Sequence, residues 1–107
     1  MSYFGTVRMI LPALLVAAAG CAAEKPATAD GKALFMQYCS GCHPDGGNAI
    51  NPAKTLQKID RLANGIVAPR DLVARMRSPG PGMPRFDRGR ISDEEAEAIA
   101  AFVLKSY

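Results

Sequence analysis

Histidine and cysteine are scarce in this chain, and their scarcity excludes several kinds of site. The sequence has 1 His and 3 Cys among 107 residues. A structural zinc ion needs four Cys or His ligands, and outside the cluster at positions 39, 42 and 43 only Cys21 remains, so zinc binding is not expected. A thioredoxin-like dithiol is not expected either, because the apolar residues before Cys39 repeat with helical rather than strand spacing.

Alternating strand patterns, internal repeats and a strong excess of one charge are also missing. Because no run of residues alternates between apolar and polar as a strand does, the chain is predicted to be all-α. The formal net charge of +3 gives no support for a nucleic-acid partner. Arginines nevertheless cluster in the second half of the chain, where they form either a solvated face or a docking surface: Arg70, Arg75, Arg77, Arg85, Arg88 and Arg90.

The N-terminal residues indicate export from the cytoplasm. Arg8 precedes an apolar stretch, 9–19, that is too short to span a bilayer comfortably and ends in small residues. Residues 1–20 are therefore predicted to be a signal peptide of the lipoprotein type, with Cys21 lipidated; an ordinary signal peptide that contains a cysteine is the alternative. The expected location is the periplasmic face of the outer membrane, or the soluble periplasm if Cys21 carries no lipid.

The remaining chain is long enough for one small domain. Residues 21–30 are rich in Ala and are predicted to be a tether, which leaves 31–107 for the fold. The predicted helices cover residues 31–39, 54–64, 69–77 and a final segment that begins after Ser92. The last helix is expected to cross the first, with Phe102 near Phe35.

Residues 39–43 read Cys-Ser-Gly-Cys-His, and this motif carries the most information about function. The thiols of Cys39 and Cys42 can add to the two vinyl groups of one haem, while the adjacent imidazole of His43 reaches the iron. The motif therefore predicts one covalently attached haem c. A domain of this size with no spare cysteine for a disulfide needs the haem as part of its core, so the apoprotein is expected to be largely disordered.

The second iron ligand has to be a methionine or a lysine, because the chain has no second histidine. Met83 lies in the segment Pro79–Pro84, whose prolines and glycines fix an extended backbone and permit a close approach to the ring. Met83 is therefore predicted as the ligand, whereas Met36 and Met76 are predicted to pack in the core or the haem pocket. A haem sensor with an open sixth position is one alternative, and a haem that mainly stabilises a structural or regulatory lipoprotein is another.

Three segments at matching separations resemble the class I cytochromes c and, within that class, cytochrome c6. They are residues 39–43, the run 48–56, and Gly82–Phe86 followed by the last helix with its acidic start. The resemblance implies a small all-α fold of about four helices around one haem. It also implies that His43 is the proximal ligand and Met83 the distal one, and that the protein is an electron carrier and not an enzyme.

The same resemblance implies roles for residues around the haem. The Pro52 carbonyl is expected to accept a hydrogen bond from the His43 ring, and Lys54 and Arg75 are candidates for contact with the haem propionates. Surface side chains over solvent are the alternative for both cations. The lipidated N-terminus and the loop before Met83 further resemble c6-like outer-membrane cytochromes of metal-reducing bacteria. Other redox proteins, such as cytochromes or a terminal reductase, are the expected partners of a monomeric chain.

Overall fold

The computed structural model describes residues 29–107, together with Gly5 and Gly20. Cys21, the tether as far as residue 28 and the rest of the predicted signal peptide lie outside the described residues. The described part contains helices, turns and loops but no strand, which confirms the all-α class. Its α-helices are α1 (Gly31–Tyr38), α2 (Lys58–Ala63), α3 (Pro69–Arg77) and α4 (Asp93–Ser106). None of these helices is long and apolar enough to cross a membrane.

The longest helix, α4, forms the centre of the core. It begins with a reciprocal cap, in which the Glu95 N–H donates to the Ser92 hydroxyl at 3.1 Å and the Ser92 N–H donates to the Glu95 carboxylate at 3.0 Å. The acidic residues of its first turn lie at the positive end of the helix dipole. Its buried side chains are spaced three and four positions apart: Ala96, Ile99, Ala100 and Val103.

Helix α1 crosses α4 at Gly31. A Cβ atom at Gly31 would lie 2.1 Å from the carbonyl oxygen of Ala98, so only glycine allows the two backbones to approach this closely. Farther along α1, Phe35 is 1% exposed, and its ring centroid lies 5.3 Å from that of Phe102. The predicted crossing of the first and last helices is therefore confirmed.

Helix α2 is shorter than the sequence predicted. It begins at Lys58 rather than at residue 54, because the backbone before it bonds elsewhere. The Lys54 carbonyl accepts from the Asn48 side chain at 2.9 Å, and the Leu56 N–H donates to the Gly46 carbonyl at 2.7 Å. These contacts hold the segment before α2 as a loop instead of a first helical turn.

Helices α1 and α3 begin where the sequence predicted. The Asp30 carboxylate accepts from the Ala33 N–H at 3.1 Å at the start of α1. At the start of α3, the Asp71 carboxylate accepts from the N–H groups of Ala68 at 2.8 Å and Val67 at 3.0 Å. These two hydrogen bonds, the one from Ala68 first, hold the pKa of Asp71 below its ordinary value. Both α1 and α3 pack against α4.

The two methionines at helical positions have different environments. Met76 on α3 is 4% exposed, as expected for a core residue, and it lines the cleft described below. Met36 on α1 is 58% exposed, so its prediction as a core residue is wrong. The buried face of α1 is centred on Phe35, and the next residue along a helix points away from that face.

Candidate functional site

One cleft collects the residues that the sequence singled out. Its empty volume, counted out into the open mouth, is about 1130 Å³. Core side chains form its apolar wall, among them Phe35, Leu72, Met76, Phe86 and Ile99. The structure also brings the predicted attachment and ligand residues to this cleft: Cys39, Cys42, His43 and Met83.

The attachment motif continues directly from the end of α1. The Cys39 N–H donates to the Phe35 carbonyl at 2.8 Å, and the His43 N–H donates to the Cys39 carbonyl at 2.9 Å. Cys39 is half-buried and Cys42 is exposed. Burial raises the pKa of the Cys39 thiol to about 11, with a smaller contribution from the neighbouring Cys42. Because the thiolate is the nucleophile, we expect Cys39 to react more readily before the chain folds around it.

The ring of His43 is oriented by the turn that follows it. A 3₁₀ turn at Pro44–Gly46, in which Asp45 has a φ of 51°, reverses the chain. The reversal brings the Gly47 carbonyl to 2.7 Å from His43 Nδ1, which donates to it and leaves Nε2 free to bind a metal. The resemblance implied the Pro52 carbonyl as the acceptor, whereas the contact that the structure shows for Nδ1 is with Gly47. Pro52 is exposed and does not line the cleft, although its neighbour Asn51 does.

Met83 lies in the loop between α3 and α4 and is half-buried against the core. Within residues 79–85, the described hydrogen bonding is limited to one weak contact, from the Met83 N–H to the Gly80 carbonyl at 3.4 Å. The prolines of the loop have no N–H to donate. Gly82, with a φ of 88°, turns the backbone immediately before Met83. The loop therefore depends on contacts at its ends for its position.

Cations line the cleft, and none of the lining residues is an Asp or Glu. Lys54 and Arg75 lie there, as the resemblance implied, the first exposed and the second half-buried. Arg61, which no sequence pattern singled out, also lines the cleft and is 5% exposed. Its Nε donates to the Leu56 carbonyl at 2.7 Å and its Nη2 to the main-chain oxygen of Tyr107 at 3.4 Å. Among residues 29–107, no Asp or Glu side chain pairs with any of these three cations.

These features fit a haem c. Two thiols are available for covalent attachment, and an imidazole and a thioether, both ligands of haem iron, line the same cleft. The wall is apolar enough for the face of a porphyrin. A buried charge is costly without a partner, so the Arg61 guanidinium suits an anionic group such as a propionate.

Comparison with known proteins gives the same result. A family profile described as "Cytochrome C oxidase, cbb3-type, subunit III" matches residues 26–103. Cytochrome c6 of Synechocystis sp. is 47% identical over 76 residues, which span 71% of this chain and 62% of that protein. Cytochrome c6 of Leptolyngbya boryana is 41% identical over 78 residues, which span 73% of this chain and 89% of that protein. The chain belongs to the class I cytochromes c and is cytochrome c6-like.

Solved structures place this cytochrome in the same group. The outer membrane cytochrome F (OmcF) of Geobacter sulfurreducens is 47% identical, with a TM-score of 0.71 over 72% of this chain and 98% of that one. Cytochrome c6 of the diatom Phaeodactylum tricornutum is 35% identical, with a TM-score of 0.66 over 72% of this chain and 90% of that one. Like its relatives, this cytochrome carries one haem c and takes part in electron transfer.

Proposed function

We propose that this cytochrome carries single electrons between redox proteins of the bacterial cell envelope, with His43 and Met83 as the two axial ligands of its iron. The observation that carries the proposal is that both side chains line one apolar cleft, with His43 Nδ1 already bonded to the Gly47 carbonyl. His43 thus keeps Nε2 for the metal, and Met83 offers a thioether sulfur. The bound haem supplies an iron that alternates between the ferric and ferrous states.

Two protein ligands suit an electron carrier better than a small-molecule binder. Histidine and methionine together fill both axial positions, so an incoming molecule has to displace one of them before it binds. The thioether of Met83 favours ferrous over ferric iron and raises the reduction potential. The cleft opens to solvent, so an edge of the bound haem would be accessible to a docked redox protein.

We further propose that Arg61 holds a haem propionate, together with Lys54 and Arg75. Replacing Arg61 with Gln should lower the reduction potential, because loss of a nearby cation favours the ferric state. Lys54→Gln is the matched control: Lys54 is exposed, so water and salt screen its charge and the shift should be smaller. Equal shifts, or no shift for Arg61→Gln, would argue against this role.

We place the protein at the periplasmic face of the outer membrane, anchored by lipid on Cys21 and docking with other cytochromes or a terminal reductase. The leader sequence supports this location, as does the similarity to a protein named as an outer membrane cytochrome. Intact mass spectrometry of the mature protein should show an acylated N-terminal Cys21, and a Cys21→Ser variant should be released into the soluble periplasmic fraction. A mature chain without lipid at Cys21 would contradict the anchor while leaving the electron-carrier proposal intact.

The experiment that tests the function is an optical redox titration of the purified holoprotein. The proposal predicts a reversible one-electron transition, a methionine-to-ferric-iron charge-transfer band at the red end of the spectrum, and little uptake of carbon monoxide by the reduced protein at neutral pH. A missing band with rapid carbon monoxide binding would instead indicate a sensor or ligand-binding haem protein.

A further inference from the structure

Arg77, the last residue of α3, closes the base of the loop that carries Met83. Its Nη1 donates to the Phe86 carbonyl at 3.0 Å and to the Ile91 carbonyl at 2.9 Å. Its Nη2 donates to the Asp93 carboxylate at 2.8 Å. We call these three contacts the Arg77 clamp. They join the end of α3 to the segment that follows the loop and to the first turn of α4.

The clamp acts at the residue where the loop rejoins the core. The Phe86 N–H donates to the Met76 carbonyl at 2.9 Å, so the clamp and Met76 together hold both polar groups of Phe86. The Phe86 ring is 4% exposed and lines the cleft. Because residues 79–85 make only one weak hydrogen bond in the described structure, the ends of the loop determine where Met83 lies.

Arg77 does not belong to the solvated face suggested by the sequence. Its side chain is 15% exposed, and its Nε is buried without a hydrogen-bond partner among the described residues. A buried N–H without a hydrogen-bond partner is unfavourable. The side chain is nevertheless held in this position by the hydrogen bonds of its two terminal nitrogens. Arg88 provides a natural contrast: it pairs with the same Asp93 at 3.0 Å, is 74% exposed and makes no side-chain hydrogen bond to the loop.

We propose that Arg77 is a positioning residue for the distal ligand, which keeps Met83 on the iron by fixing the base of its loop. This inference rests on the proposed ligation of the iron by Met83. Loss of the clamp frees the Phe86 and Ile91 carbonyls and allows the loop to open while α1 and α4 stay packed. Arg77 therefore controls how often the sixth position of the iron is accessible to another ligand.

Loop opening has a direct readout in the intact ferric holoprotein. Imidazole binds the iron only when Met83 has left it, so its apparent affinity is the intrinsic affinity multiplied by the open fraction. Hydrogen bonds from a charged donor contribute enough that Arg77→Gln should raise the apparent imidazole affinity by about tenfold to a hundredfold. The red charge-transfer band should weaken in parallel.

Two control variants separate positioning from general stability. Arg88→Gln removes the exposed partner of Asp93 and leaves the loop contacts, so its imidazole affinity should stay within about threefold of the wild type. Ala100→Gly weakens α4 at a buried site that does not line the cleft. If Ala100→Gly and Arg77→Gln raise the imidazole affinity equally at matched global stability, measured by far-UV circular dichroism, Arg77 is only a structural residue and the inference fails.

A second variant covers the case in which Arg77→Gln does not fold. Asp93→Asn keeps an acceptor oxygen for Nη2 but removes the negative charge, and it leaves Nη1 on its two carbonyls, so the imidazole affinity should rise by an intermediate amount, about threefold to tenfold. An affinity unchanged from the wild type would overturn the clamp. If the wild-type holoprotein itself lacks the red band, the Met83 assignment fails first, which keeps the two failures distinct.

Discussion

His43 and Met83 line the same cleft, but the chain holds them in different ways. His43 follows the cysteines directly, and its ring is fixed by a carbonyl four residues away, at Gly47. Met83 lies in a loop with little internal hydrogen bonding, and that loop is fixed from outside by Arg77. The proximal ligand is thus positioned by contiguous residues, whereas the distal ligand is positioned by contacts between residues far apart in the chain.

Because the two ligands are held in different ways, we expect Met83 to be more mobile than His43. A ligand held by its own short turn leaves the iron only when that turn and its covalent attachment are disrupted. A ligand at the tip of a loop held at its base is released by a local opening, with much of the core still packed. We therefore expect exchange of the distal ligand at a lower free energy than global unfolding.

Removing each ligand in turn should give the largest contrast. His43→Ala should reduce the yield of holoprotein by more than about tenfold, because loss of even a supporting residue of a metal site commonly costs that much. Met83→Ala should still give holoprotein, without the red charge-transfer band and with rapid carbon monoxide binding. Haem-specific staining of denaturing gels, followed by spectroscopy, measures both. Equal holoprotein yields from the two variants would contradict the asymmetry.

The two positive-φ glycines next to the ligands offer a matched comparison. A Cβ at Gly46, where φ is 75°, would lie 2.5 Å from the Tyr107 ring, so Gly46→Ala should destabilise the protein by about 2–4 kcal/mol through strain and overpacking. A Cβ at Gly82, where φ is 88°, would lie 3.3 Å from a methyl group of Ile50, and Gly82→Ala should cost only about 1 kcal/mol.

Chemical denaturation of the two holoproteins measures these costs. Because Gly82 precedes Met83, its replacement should also weaken the red band, whereas the surviving Gly46→Ala holoprotein should keep it. The reverse order of stabilities would show that the proximal turn is the more adaptable of the two.

Low pH should weaken the contacts that hold the Met83 loop by protonating Asp93. We expect this effect on stability to be the smallest of those predicted. The hydrogen bonds from Arg88 and Arg77 hold the pKa of Asp93 below its ordinary value of 3.8. Because the folded pKa is lowered, this stabilisation is present above about pH 4 and is lost as the pH falls through the folded value. The denaturant midpoint of the wild type should therefore approach that of Asp93→Asn below about pH 4. A constant difference between the two proteins at every pH would rule out a contribution from this ion pair.

Much of the fold could be predicted from the sequence, because it depends on local signals. The predicted starts of α1 and α4 agree with the structure because each cap lies next to its helix, Asp30 for α1 and the Ser92–Glu95 pair for α4. The predicted contact between α4 and Phe35 is also present. The attachment motif predicted the haem for the same reason. Each of these signals lies within a few residues of the feature that it determines.

The features that the sequence did not reveal depend on long-range contacts. In the sequence, Arg61 cannot be distinguished from a surface arginine, and its hydrogen bonds to Leu56 and Tyr107 form only in the folded chain. Arg77 is one of several arginines in the second half of the chain, and only the structure shows that its side chain is mostly buried. The contact of His43 with Gly47 was not expected from the sequence, because it depends on the turn at Asp45 that brings Gly47 to the ring. No periodicity or spacing distinguishes these residues, since their partners are fixed only when the chain has folded.

The most direct test of the asymmetry is a denaturant titration of the ferric holoprotein that follows the red charge-transfer band and the far-UV circular dichroism in the same samples. We expect the band to disappear at a lower denaturant concentration than the helical signal, because the Met83 loop opens while α1, α3 and α4 remain packed. Coincident loss of the two signals would contradict it, since the distal ligand would then be held as firmly as the core itself.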